Sequence, residues 1–158
     1  MEETILVRNL ANRISVGAEI PYDFISDIIQ RANITPEMSM EEIESALVPF
    51  GEDLVTWTYK TVVNLSRERE ILPVWIFLPT FEGTMSEETK NKLINTASDA
   101  GFFTIDLSDI YTGQDIRQIT VAEWDLHPNR NGHMLIAENL YKALLENPNI
   151  SRVMGIKK

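Results

Sequence analysis

Near residue 71 the hydrophobic period of this chain changes, which narrows the folds open to it. The run Ile71-Leu72-Pro73-Val74-Trp75-Ile76-Phe77-Leu78-Pro79 is short, apolar, rich in β-formers and closed by proline. Such a run reads as a strand buried on both faces, the kind found in parallel sheets. Thr84 with Glu87 supplies a capping box. Leu93, Ile94 and Ala97 give the next helix an apolar face, and Gly101 is placed to end it. Phe102-Phe103-Thr104-Ile105-Asp106-Leu107 then reads as a second strand. The whole is about 36 residues, the size of a βαβ unit, for which a right-handed crossover is expected.

The preceding half reads as helical, over residues 18–70. From Pro21 the apolar Phe24, Ile25, Ile28, Ile29 and Ala32 fall at helical spacing, with Asp23, Asp27, Gln30 and Arg31 on the other face. Ser39 and Glu42 form a capping box ahead of Ile43 and Leu47. Pro49 and Gly51 interrupt, and Leu54, Trp57, Thr58, Thr61, Val62 and Leu65 restore the period until the charged run Arg67-Glu68-Arg69-Glu70. After 107 an irregular stretch runs to Glu123, and a last helix carries Leu135, Ile136, Leu140, Ala143 and Leu144 and stops before Pro148.

The expected organisation is a single domain over 1–158, or the C-terminal part of one, with an α/β core at 71–146. That core is short of strands. Thr4-Ile5-Leu6-Val7 is a weak third candidate, whereas sheets usually hold about four to six strands. The missing strands would come from an upstream segment, or the helical half would cover the sheet, or a second copy would pair along its edge.

Composition narrows the partners. With 24 acidic against 14 basic residues and a net charge of −10, a nucleic-acid backbone or an anionic membrane surface is disfavoured. No apolar stretch reaches the roughly 18 residues of a membrane span, and the start lacks the basic and apolar regions of a signal peptide, so a soluble chain is expected. There are no cysteines, hence no thiolate nucleophile and no Cys-ligated zinc.

The segment that carries chemistry is Trp124-Asp125-Leu126-His127-Pro128-Asn129-Arg130-Asn131-Gly132-His133. It is expected on a loop at the carboxyl end of the parallel sheet, where open α/β folds place their sites. Pro128 biases His127 toward an extended backbone, Asn129 or Asn131 can cap the following helix, and Gly132 permits a close approach. If the turn brings them together, Asp125 can fix one imidazole nitrogen while the other exchanges a proton with a hydroxyl.

This block, continued by Met134-Leu135-Ile136-Ala137-Glu138-Asn139-Leu140, resembles the last conserved block of SGNH/GDSL hydrolases. The resemblance extends over residues 65–146, with 73–79 similar to the family's penultimate core strand and 103–111 to the strand and loop before the catalytic block. It implies a three-layer α/β/α, flavodoxin-like fold. It also implies acyl-ester hydrolysis or acyl transfer on a small ester, without metal or cofactor, with His127 as base and acid and Asp125 as its orienter. Two departures stand out. The family's commonest spacing puts the aspartate three residues before the histidine, a position held here by Trp124, while Asp125 lies two before. The family's Gly-Asp-Ser nucleophile block and its oxyanion blocks are absent, and none of the nine serines, Ser15 and Ser108 included, has the glycine-flanked setting. The nucleophile is therefore expected upstream, and the 158 residues alone are expected to be nearly inactive.

Other readings of the same residues remain open. His127 could be a loop histidine bonded to a neighbour, and His133 a packing or capping residue. Asp125, His127 and His133 could form a three-ligand metal site, although the histidines lack the four-residue spacing of zinc-binding helices. Asp106 and Asp109 could be alternative acids or turn formers. Trp57, Trp75, Phe102 and Phe103 suit a core better than an acyl pocket, while Trp124 is a candidate lining of the substrate entrance. The acidic residues between 37 and 44 read as a solvated surface. A non-catalytic binding or assembly module, associating through the helical region or sheet edge, is the alternative function.

Overall fold

A computed structural model describes residues 2–81, 85–153 and 155. The chain is mixed α/β and divides into two compact units, Met1–Thr61 and Val62–Lys158.

The first unit is helical. Helix α1, Glu2–Ser15, precedes α2, Asp23–Arg31, and α3, Met40–Leu47; a 3-10 turn, Val48–Phe50, then leads into α4, Gly51–Glu68, of which residues 51–61 belong to this unit. The strand expected at Thr4-Ile5-Leu6-Val7 is instead the first turns of α1. Its β-branched residues favour a strand locally, but Val7, Leu10, Ala11 and Ile14 continue at helical spacing. Val7 and Ala11 are buried against Ile25, Ile28, Ile43, Leu47 and Leu54, so core burial overrides propensity. At the start of α3 the expected capping box is present. Ser39 Oγ accepts from Glu42 N at 3.3 Å, and Glu42 Oε2 accepts from Ser39 N at 2.7 Å. Trp57 is partly buried and stacks on Phe24, with centroids 5.2 Å apart, a core role as expected. A groove of about 590 Å³ in this unit is walled by Leu10, Ile25 and Trp57, with Tyr22 at its side.

The second unit contains the βαβ element. Strands β1, Val74–Phe77, and β2, Phe103–Asp106, pair in parallel with Val74 opposite Phe103 and Phe77 opposite Asp106. Helix α5, Glu87–Ala100, connects them. Its N-cap is Ser86, whose Oγ accepts from Thr89 N at 3.1 Å. Thr84, the cap expected from sequence, lies outside the described residues. Gly101 ends α5 in the left-handed conformation, φ 103°, which a side chain would strain. A Cβ there would also meet Arg67 Nη2 and Val63 Cγ1.

The final segments are α6, Ile116–Ile119; β3, Thr120–Ala122; β4, Asp125–Pro128; α7, Arg130–Glu146; and α8, Pro148–Val153. Residues Ile136, Leu140, Ala143 and Leu144 of α7, with Ile150 of α8, pack against Val74, Phe103, Ile105, Leu107 and Ile110. The stretch 108–123, expected to be irregular, thus contains a short helix and a strand.

Strand β1 is not buried on both faces. Phe77 is buried but Ile76 is 40% exposed. Among the described residues the parallel sheet has two strands, too narrow for both faces to be covered as in a wide parallel sheet. No described helix is long and apolar enough to cross a membrane.

Candidate active site

Asp125 and His127 lie on β4, not on a loop. Strands β3 and β4 form an antiparallel ribbon joined by the turn at Glu123-Trp124, with Thr120 opposite Pro128 and Ala122 opposite Asp125. Between those pairs, β3 has Val121 alone while β4 has Leu126 and His127, so the ribbon carries a bulge. Strands of three and four residues give too short an alternation to be read in advance.

At the bulge, the His127 backbone folds back onto its own strand. His127 N donates to Asp125 Oδ1 at 3.1 Å, and His127 Nδ1 lies 2.6 Å from the same oxygen. An aspartate that accepts a backbone amide two residues on makes an Asx turn. This is how a spacing of two, rather than three, brings carboxylate and imidazole together. The aspartate side chain is 27% exposed and the imidazole 87% exposed. The hydrogen bond from the His127 side chain, then the one from its backbone, hold the Asp125 carboxyl below its ordinary range. Asp125 is therefore a carboxylate at neutral pH.

The strand is anchored at its far end by Asn129. Its Oδ1 accepts from Asn131 N at 2.8 Å and Gly132 N at 3.1 Å, capping α7. Its Nδ2 donates to Thr120 O at 2.7 Å and Gln118 O at 3.1 Å. One side chain thus joins α6, β3, β4 and α7. Gly132 is the expected close approach: a Cβ on it would collide with the Ile119 carbonyl oxygen and lie 2.9 Å from Pro128 Cβ.

The remaining candidates separate from this pair. His133 is exposed in the first turn of α7 and is neither a buried packing residue nor the cap, because Asn129 takes that place. No group of three His, Asp or Glu side chains able to hold a metal ion exists among the described residues, so His133 does not join Asp125 and His127 as a ligand set. Asp106 accepts from Ser108 N at 2.8 Å and lies 4.0 Å from Lys90 Nζ, a turn-forming role. Asp109 is exposed, with its carbonyl bonded to Thr112 N. Ser108 Oγ accepts from Lys90 Nζ at 3.4 Å. Trp124 is 86% exposed at the ribbon's turn.

Trp124 does not line the cleft beside His127, which has a volume of about 230 Å³. That cleft is formed by the chain leaving the carboxyl end of β1, through Leu78, Pro79, Thr80 and Phe81, by Tyr111 beyond β2, and by Leu126 and Pro128 around the imidazole. The site thus lies beyond the carboxyl ends of the parallel strands, where α/β sheets place ligands. The Phe81 and Tyr111 rings are 4.2 Å apart, and burial pushes the Tyr111 phenol above its ordinary value. Sequence reasoning missed this aromatic wall. The available signal was the Leu-Pro-Thr-Phe exit from β1, which a topology placing strand ends together would have brought to His127.

No family model matches the chain, and no curated protein or solved structure matches it either.

Proposed function

We propose that Asp125 and His127 are the acid and base half of a serine acyl-ester hydrolase of SGNH type, acting with a serine outside these 158 residues. The observation that carries this reading is the 2.6 Å contact between Asp125 Oδ1 and His127 Nδ1, on a bulge beside a cleft at the carboxyl end of a parallel pair. A carboxylate held ionised fixes the tautomer with Nδ1 protonated, which makes Nε2 the basic nitrogen. Nε2 takes the serine proton as the hydroxyl attacks the ester carbonyl, and returns it to the leaving alcohol. Water repeats the cycle in reverse to release the acid. Transfer to another alcohol in place of water would make the same site an acyltransferase. In this reading the two strands belong to a flavodoxin-like three-layer sheet completed by segments beyond this chain.

The test is hydrolysis of 4-nitrophenyl acetate by the product of the full reading frame that contains these residues. His127→Ala should lower kcat by at least about a thousandfold; full activity in that variant sinks the assignment. Oxyanion donors are commonly worth about 3 to 4 kcal/mol, so the 158 residues alone should show almost no turnover. Turnover by them that His127→Ala abolishes would show that the nucleophile is within the chain.

A second reading, a non-catalytic binding module, is favoured by two observations: among the described residues no serine lines the cleft at His127, and Trp124 stands 86% exposed next to Asp125. A full reading frame without esterase activity, in which Trp124→Ala abolishes association with a partner, would establish it.

A further inference from the structure

The cleft beside His127 differs in chemistry from the rest of this acidic chain. Its walls are Leu78, Pro79, Phe81, Tyr111, Leu126 and Pro128, and among the described residues its lining carries no ionisable group besides the imidazole and the Tyr111 phenol. That phenol stays neutral, since burial raises its pKa. Among the described residues no carboxylate lines the opening, and the Asp125 carboxylate is bonded to His127, so in a protein of net charge −10 this lining favours an uncharged occupant over a cation. Its size is also limiting. An apolar cavity of about 150 Å³ accepts benzene, so about 230 Å³ has room for one ring with a short substituent, or a short alkyl chain. The Phe81 and Tyr111 rings, 4.2 Å apart, form an aromatic wall suited to stacking against a ring.

Position decides which part of an ester enters. A general acid must lie within hydrogen-bond reach of the oxygen that it protonates. In the proposed reaction that oxygen belongs to the leaving alcohol, and the imidazole is itself part of the cleft wall. We infer that this cleft is the leaving-group subsite and selects small, neutral, aromatic or short-chain alcohols. The inference rests on the esterase reading of Asp125 and His127 for its assignment to the alcohol, and on the lining alone for its preference in chemistry.

The experiment is an NMR titration of the 158-residue chain with benzyl alcohol, benzoate and choline as separate probes. Benzyl alcohol should shift the Phe81, Tyr111 and His127 resonances with millimolar affinity, and benzoate and choline should bind more weakly. Phe81→Ala should weaken benzyl alcohol about two- to tenfold, the range of an aromatic pair. Leu78→Asp changes a residue that is 43% exposed and should reverse the order, so that choline binds better than benzyl alcohol. The inference is overturned if benzyl alcohol leaves His127 and Tyr111 unshifted, if its shifts fall instead on Tyr22 and Trp57 of the first unit, or if benzoate or choline binds the unaltered chain more tightly. Binding needs no serine, so the two readings fail separately. An active esterase that loses turnover with His127→Ala but shows no benzyl alcohol shift keeps its catalytic pair and loses this subsite. Benzyl alcohol binding in a protein whose esterase activity survives His127→Ala keeps the subsite and removes the catalytic pair.

Discussion

One oxygen of Asp125 holds His127 twice, through Nδ1 at 2.6 Å and the backbone amide at 3.1 Å. The two bonds constrain both the ring and the strand from which it projects. The Asp125 pKa lies below its ordinary 3.8, chiefly because the His127 side chain bonds to the charged form. A carboxyl whose folded pKa is depressed contributes stability at pH values above its unfolded pKa, and that contribution is lost as the pH falls through the folded value. Asp125→Asn should therefore have a lower Tm than the unaltered chain at neutral pH, and the gap should close as the pH drops below 3.8. Thermal unfolding followed by circular dichroism at several pH values checks this; a gap that widens in acid contradicts it.

Asn129 separates two contributions in one side chain. Its carboxamide oxygen caps α7, and its nitrogen donates to the Thr120 and Gln118 carbonyls. Loss of a cap costs about 0.5 to 2 kcal/mol, and a buried carbonyl left without its donor costs about 1 to 3 kcal/mol more. Asn129→Ala should lose both. Asn129→Asp keeps the cap, loses the donors, and should fall between. Urea unfolding that ranks Asp at or below Ala would show that the cap is the minor part.

Gly132 has no room for a methyl group, since the Ile119 carbonyl and Pro128 Cβ occupy its place. Alanine ordinarily stabilises a helix interior relative to glycine by roughly 0.5 to 1 kcal/mol. Overpacking costs about 1 to 3 kcal/mol and should dominate here. Gly132→Ala is expected to lower stability and to perturb the His127 amide resonance, because α7 and β4 must move apart. A Tm equal to or above that of the unaltered chain would contradict the contact.

In the first unit, Ile28 is fully buried and meets the core contributed by α1, α3 and α4. Ile28→Ala should destabilise this unit by about 2 to 5 kcal/mol. Hydrogen exchange at the Val7 and Leu47 amides should accelerate accordingly; unchanged exchange there would show that the core tolerates the cavity.

Much of the fold was legible because local and global preferences agree. The β-rich run around Val74, the apolar stripe through Ile25 and Ile28, the Ser39 and Glu42 box and the terminating Gly101 each carry a short-range signal. The Asp125 and His127 pair was legible as a residue pattern, and Asn129 as a cap. The misreadings are equally specific. Thr4-Ile5-Leu6-Val7 resembled a strand because four residues cannot distinguish a β-branched strand from a helix whose apolar face continues through Ala11 and Ile14. The β3 and β4 ribbon was missed because its strands are too short to show alternation.

The chain's own residues thus specify the elements with their punctuation, and the residue types available for acid and base chemistry. Hydrogen-bonded caps and hydrophobic period act over a few residues and can be read there. Three-dimensional packing is what makes Asp125 and His127 touch through a bulge, sets Phe81 and Tyr111 as a wall beside them, and leaves Trp124 away from the cleft. Those outcomes depend on where the ends of β1 and β2 meet β4. There Phe81, Tyr111 and Pro128, from three separate parts of the chain, line one cleft, a non-local meeting of contacts that no window of sequence contains.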